Sequence, residues 1–359
     1  MPPSRTAATA AGLLCLSLLG LTACSSAASG VASEGGDTPT LVVYTNSGSD
    51  GRDTWWTEKA AEAGFDIQIV AAGGGDVVNR LEAEQNGPVA DVVFGLNNMY
   101  FTQLDADGLV TPYTPAWSSD VDPSLGDTTG DAAFWPLVQQ ATVLVYNPAA
   151  YTADDAPTSW TDLATTPRFE GTYEVVNQTG LGGATTQLIL AGIVSEYRDD
   201  NGDLGVSDDG WNIVRALFAN GLPAEPDVPL FQRIADGTVN GGQIWTSGIL
   251  GFEEQYGVQT TVAQPAEGVP FAIEQVALVA GSGHEEQAQQ FIDWMGSGDV
   301  QGAFAQKFNA APVNDRAAEQ ANPEAVDLLE GVKHQDIDYA WASEHMGDWV
   351  EKITLQYLQ

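Results

Sequence analysis

From residue 41 onward, short apolar runs alternate with amphipathic stretches. LVVYTN (41–46) is apolar and β-branched, which predicts a buried strand. A turn, NSGSDG (46–51), leads into a helix over 52–63, with Trp55, Trp56, Lys59 and Ala60 at helical spacing. FDIQIVAA (65–72) predicts a second strand, Gly73 to Asp76 break it, and VVNRLEAEQN (77–86) predicts a second helix. ADVVFG (90–95) is a third strand, followed by a helix over 98–107 that ends at Asp107 and Gly108. The order β-α-β-α-β-α predicts a doubly wound parallel sheet.

The pattern then changes. FWPLVQQATVLVYN (134–147) is one long strand. A short helix starts in 157–163, a strand spans 172–177 and runs into the stretch 178–186, and a helix follows to about 197. After Asp199 to Asp203, helices are expected near 208–220 and 228–236, then strands over 241–247 and 258–264. PFAIEQVALVA (270–280) is a strand, followed by helices over 284–296 and 299–308 and a mostly helical tail. Trp55, Trp56, Trp160, Trp294 and Trp349 fall in amphipathic helices and are expected in the core. The predicted fold class is α/β, with two doubly wound lobes joined by a two-strand hinge. Lobe 1 comprises 40–140 and 268–312, lobe 2 comprises 141–267, and a helical tail over 313–359 packs on the lobes. Two crossings between lobes make a hinge and leave a cleft, which suits a small molecule.

The first 39 residues read differently. Residues 10–23, AAGLLCLSLLGLTA, are apolar but too short for a membrane span of about 20 residues. With Arg5 ahead of them they predict a signal peptide over 1–23. LTAC (21–24) resembles the bacterial lipobox, which implies lipidation of Cys24 as the first mature residue. The small, polar stretch from 24 to 39 then predicts a flexible tether. Cys15, the other cysteine, leaves with the signal. The chain carries 49 acids against 12 bases, a formal net charge of −37. That excludes nucleic acid as a partner, because phosphate backbones need Lys and Arg.

In open α/β sheets, ligands sit at the carboxyl ends of strands where the strand order reverses. That singles out the loop from Asn46 to Gly51 after the first strand, with Asn46, Ser47, Gly48 and Ser49, and the loop from Gly95 to Asn98 after the third, with Asn97 and Asn98. Small hydroxyls and glycine before a helix let an anion approach backbone N–H groups; helix capping by Ser49 and Asp50 is the alternative. TGLGGAT (179–185) offers a matching turn on the other lobe, with Thr179, Gly182, Gly183, Ala184 and Thr185. It contains no Lys or Arg, so an anion there would be held by dipoles and not by ion pairing. Gln140 lies on the crossover strand, and Trp245, Thr246 and Ser247 offer a stacking face and hydroxyls. Glu274 is an acid in an apolar strand. It needs a partner, either a ligand amine or an internal hydrogen bond. His284, His334 and His345 fall in polar helical stretches and read as solvated surface residues.

The segments GGGDVVNRLEAEQNGPVADVVFG (73–95), GLVTPY (108–113), VLVYN (143–147) and PTSWTDLATTPRFEG (157–171) occur in this order. QQFIDWMGSGDVQGAFAQ (289–306) and QDIDYAWASEHMGDWVEKI (335–353) follow them. Together they resemble the bacterial extracellular solute-binding proteins of ABC importers, with the type 2 periplasmic-binding fold. The nearest branch holds ferric-, thiamine-, phosphonate- and sugar-phosphate-binding proteins. The resemblance implies a monomer that captures a small solute outside the cell and hands it to a membrane permease with its ATPase. It implies no catalysis and no cofactor, and the residues themselves offer no expected metal ligands. The ferric branch usually binds iron through two adjacent tyrosines, whereas TSGILGFEEQYGVQ (246–259) holds Tyr256 alone. A phosphorylated or phosphonate-type organic anion is the favoured solute. Thiamine or another cationic amine is the alternative, and ferric iron is less favoured. A secreted hydrolase is least favoured: neither G-x-S-x-G nor H-E-x-x-H occurs.

Overall fold

A computed structural model describes residues 39–152 and 154–358. The expected signal peptide, Cys24 and the tether through residue 38 lie outside the described residues.

The first half builds β1 (Thr40–Thr45), α1 (Arg52–Glu62), β2 (Asp66–Ala71), α2 (Gly74–Glu84), β3 (Val92–Asn97), α3 (Asn98–Ala106), β4 (Val110–Thr111) and β5 (Trp135–Tyr146). Then come α4 (Trp160–Thr165), β6 (Glu174–Val175), α5 (Ala184–Ser195), β7 (Arg198–Asp203), α6 (Asp208–Asn220), β8 (Leu222–Pro223), α7 (Leu230–Ala235), β9 (Gly241–Trp245), α8 (Thr246–Tyr256) and β10 (Thr261–Val262). The chain ends with β11 (Phe271–Val279), α9 (Glu285–Met295), α10 (Gly298–Phe308), β12 (Ala311–Pro312), α11 (Asp315–Ala318), α12 (Pro323–Glu330) and α13 (Tyr339–Gln356).

β1 pairs in parallel with β2 on one side and β3 on the other. β11 then adds antiparallel to β3, and β5 antiparallel to β11. The order β2-β1-β3 reverses at β1, so the loops leaving β1 and β3 diverge and open a crevice at the strand ends. β3 is buried along its whole length, as its unbroken run of apolar residues requires. β5 belongs to both lobes. Its residues up to Ala141 pair with β11, and from Thr142 onward they pair with β9. β10 adds to the far end of β5, and β6 pairs in parallel with β8.

An aromatic cluster cements the first lobe: Trp56 stacks on Phe304 at 5.1 Å and meets Phe94 edge-on at 5.8 Å. α13 packs on α3 from one lobe and on α5 from the other. Its Trp349 is fully buried, with the indole N–H donating to the Leu204 carbonyl at 2.9 Å.

Several local expectations shift. The strand expected over 241–247 ends at Trp245, because Thr246 already begins α8. The strand over 258–264 contracts to β10. The helix expected from 228 starts at Leu230, since Pro229 sits at its N-cap in an extended conformation. The acidic stretch after Arg198 is extended, bridging back to Val206. The histidines are exposed (His334) or half-buried (His284, His345), in keeping with a surface position, and each also takes a partner. His284 Nδ1 lies 3.2 Å from Asp91 Oδ1, His345 stacks on Trp349 and His334 meets Phe271 edge-on. Among the described residues, no helix is long and apolar enough to cross a membrane.

Candidate functional site

A cleft of about 190 Å³ lies where β5 passes between the two sheets. One wall is the loop after β1, which brings Asn46, Ser47 and Ser49 to the lining, together with Asn97 at the end of β3. The facing wall is the start of α5, with Gly183, Ala184 and Thr185, and the side chain of Trp245. Gln140 on β5 and Glu274 on β11 form the floor.

Six residues singled out in the sequence are not on this lining. Gly48 faces β2, where an added Cβ would come within 2.8 Å of Ala71 Cβ. Asn98 is the first residue of α3, and Thr179 and Gly182 are exposed in the turn before α5. Thr246 and Ser247 are buried behind the floor. Thr246 Oγ1 accepts from the Ala141 N–H at 3.2 Å, and Ser247 Oγ donates to Gln140 Oε1 at 2.9 Å. The reason is the helix start. With α8 beginning at Thr246, the two hydroxyls turn inward and hold the floor from beneath.

The structure adds residues that the sequence reading missed. Gly73 and Gly74, at the start of α2, join the lining, as do Thr142 and Leu188, while Gly95, already within the candidate loop after the third strand, lines it too. Arg52 joins them and is nearly buried, with Nη1 3.1 Å from Asp50 Oδ2 and its guanidinium 5.1 Å from the Phe308 ring centre. The expectation that dipoles alone would meet an anion is therefore corrected, since a fixed cation faces the same space. The rarity of bases in this chain was the signal that could have found Arg52. Gly95 has φ +86°, and a Cβ there would sit 2.6 Å from Ser47 Cβ. Only glycine lets the end of β3 pass so close to the loop after β1.

The electrostatics favour negative charge. The N-caps of α2, α5 and α8 are Gly73, Gly183 and Trp245, and none supplies a side-chain hydrogen bond to its helix. The first N–H groups of α2 and α5 thus remain available at the cleft, backed by about half a positive charge per helix, whereas α8 begins with Thr246 and Ser247 behind the floor. Asn97 caps α3, accepting from the Tyr100 N–H at 3.2 Å, while its Nδ2 is buried with no partner. Leaving a buried donor unpaired costs about 1–3 kcal/mol, which a ligand oxygen would recover.

Glu274 is the exception on this lining. It is half-buried, accepting from Ser47 Oγ at 2.9 Å and from Gln140 Nε2 at 2.5 Å. Burial pushes its carboxyl up to about 7, against the opposing pull of Arg52 and the Ser47 hydrogen bond. No histidine or tyrosine joins it on the lining, and the described residues contain no cluster of three or more His, Cys, Asp or Glu able to hold a metal. Tyr256 is the last residue of α8 and lies off the lining.

Two α/β lobes sharing strands, with a small polar cleft at the junction, define a clamp-type receptor for a small solute. The chain belongs to the bacterial extracellular solute-binding proteins, a family that matches residues 87–343. A probable ABC transporter periplasmic-binding protein, y4fP of Sinorhizobium fredii, is 34% identical over 321 residues, covering 89% of this chain and 87% of that one. Iron-bound HitA from Pseudomonas aeruginosa superposes with a TM-score of 0.73 at 18% identity, over 88% of this chain and 99% of that one. AfuA from Actinobacillus pleuropneumoniae, with fructose-6-phosphate bound, gives 0.71 at 17%, over 89% and 98%. At such identities the two structures share the fold alone.

Proposed function

We propose that this solute-binding protein captures a small phosphorylated or phosphonate-type organic anion in the cleft between its lobes and delivers it to an ABC permease and its ATPase. No bond is made or broken; the work is recognition and release. The division into lobe 1 (40–140 and 268–312), lobe 2 (141–267) and tail (313–359), and action as a monomer, belong to this reading. So does attachment to the outer face of the membrane through lipid on Cys24, after removal of residues 1–23.

The observation that carries the anion assignment is convergence. Uncapped starts of α2 and α5, the free Asn97 amide and the Arg52 guanidinium all meet one small volume. Each favours oxygen-rich negative charge. The likeness to a fructose-6-phosphate-bound protein agrees in fold.

Glu274 favours a second reading, a cationic amine such as thiamine, with Trp245 as a stacking face. Ferric iron is the reading of HitA, but one carboxylate on the lining is a poor set of hard ligands for it. Calorimetric titration separates the three. Saturable heat with fructose 6-phosphate or methylphosphonate, and none with thiamine or ferric citrate, is the expected result. Binding of thiamine with both phosphorus compounds ignored would overturn it.

A further inference from the structure

Glu274 stands among groups that favour anions, and the hydrogen bonds around it resolve the conflict. Ser247 Oγ donates to Gln140 Oε1, which turns the Gln140 amide so that Nε2 donates to Glu274 Oε1. Ser47 Oγ donates to the other oxygen, Oε2. An ionised carboxylate has lone pairs and no proton, so it consumes the single O–H of Ser47. In that state this part of the cleft presents acceptors, which suit a cation. One proton on Oε2 inverts the arrangement. Oε2–H donates to Ser47 Oγ, the Ser47 O–H turns into the cleft, and the Gln140 bond to Oε1 stays as it was. The same two residues then present a donor, which suits an anion.

We propose that Glu274 sets the charge of the solute the cleft accepts: an anion enters together with one proton, taken from solvent onto Glu274 Oε2, and the Ser47 hydroxyl swings from the carboxylate to the anion. This rests on the anion reading above and extends it to a specificity-determining pair. The charged surroundings permit it. Arg52, at the start of α1 and ion-paired with Asp50, is the charged side chain that shares the lining with Glu274. The other elements around the pair face it with neutral groups: Gln140 and Thr142 from β5, Asn97 from β3, Ala184 and Thr185 from α5, and Trp245. Asp53 and Asp76 lie in the first turns of α1 and α2, off the lining.

The direction of the pH effect follows. Burial holds the free carboxyl near 7, so at pH 6 it is mostly protonated and anion entry needs little proton uptake. At pH 8 it is mostly ionised, and each anion must bring a proton with it. Anion affinity at pH 8 is then about tenfold below that at pH 6, beyond any change in the probe's own ionisation.

The test is calorimetry of the full chain with fructose 6-phosphate and methylphosphonate at pH 6 and pH 8, in two buffers of different ionisation enthalpy. Wild type is expected to take up close to one proton per anion at pH 8 beyond the probe's own share. Glu274→Gln is expected to take up none, with its affinity ratio between the two pH values following the probe alone. Equal proton counts for the two proteins would overturn the proposal. Should the variant not fold, a wild-type count at pH 8 no larger than the probe's own share overturns it alone. If wild type ignores both probes and binds thiamine without proton uptake, the anion reading has failed and the proton device falls with it.

Discussion

Arg52 shows how much one side chain decides at this site. It sits one residue past Gly51, a left-handed N-cap with φ 78°, so the helix start throws its side chain toward the cleft. Asp50 and the Phe308 ring hold the guanidinium in place, so little rotamer freedom is lost when a ligand arrives. Arg52→Gln keeps an amide donor but shortens the side chain, gives up the guanidinium contact with Phe308 and removes the charge. It is expected to weaken anion binding by roughly 10- to 100-fold, the worth of a charge-assisted hydrogen bond of about 1.5–3 kcal/mol. Titration of fructose 6-phosphate into wild type and variant checks this; equal affinities would remove Arg52 from the site. The sequence made the neighbouring Asn46, Ser47 and Ser49 legible because turn residues after a strand advertise themselves. Arg52 was hidden because its position reads equally well as an exposed helix residue. Gly73 was hidden for another reason. Its neighbour across the cleft, the Gly182 carbonyl 4.0 Å from where its Cβ would be, is far away in sequence.

At the scale of elements, β1 and β2 fall within one residue of expectation and β3 within two, because their apolar runs are flanked by strong breakers. The limits of β9 and β10 differ from expectation by two or three residues, and α8 between them is not foreseen, because β-branched residues in 241–264 favour strand locally while tertiary pairing with β5 sets the limits. The contact between α3 and α5 was not legible at all. Tyr100 on α3 donates its hydroxyl hydrogen to Gln187 Oε1 on α5, joining the lobes away from the floor. Its ring also covers Gly74, where a Cβ would come within 2.5 Å. Tyr100→Phe removes this latch with little loss of packing. At about 1 kcal/mol for such a bond, solute affinity should fall by about fivefold. Small-angle scattering of the ligand-free variant should give a larger radius of gyration than wild type. An unchanged radius and affinity would mean the contact carries no part of closure.

For the whole molecule, charge and anchor oppose each other. A net charge of −37 is repelled by anionic lipid surfaces, so electrostatics gives no adhesion. Under the lipid anchor proposed above, retention at the membrane would rest on acyl chains alone, and stable anchoring takes about two of them. That is what a diacylglycerol on Cys24 provides in the lipobox reading. Cys24→Ser is expected to move the protein wholly into the aqueous phase of a detergent partition, where wild type enters the detergent phase. Wild type found in the aqueous phase would leave the anchor without support.

β5 has a mechanical corollary. Ala141 is paired with Phe271 in one sheet and Thr142 with Trp245 in the other, with the Thr142 N–H still donating to the Pro270 carbonyl at 2.9 Å, so on this strand the changeover takes a single peptide link. A joint that short permits rotation but no sliding, like the fold of a leaf spring. Whatever the aperture, the jaws stay in register with each other. A guest caught first by either jaw already lies on the arc that carries it to its partners on the opposite side.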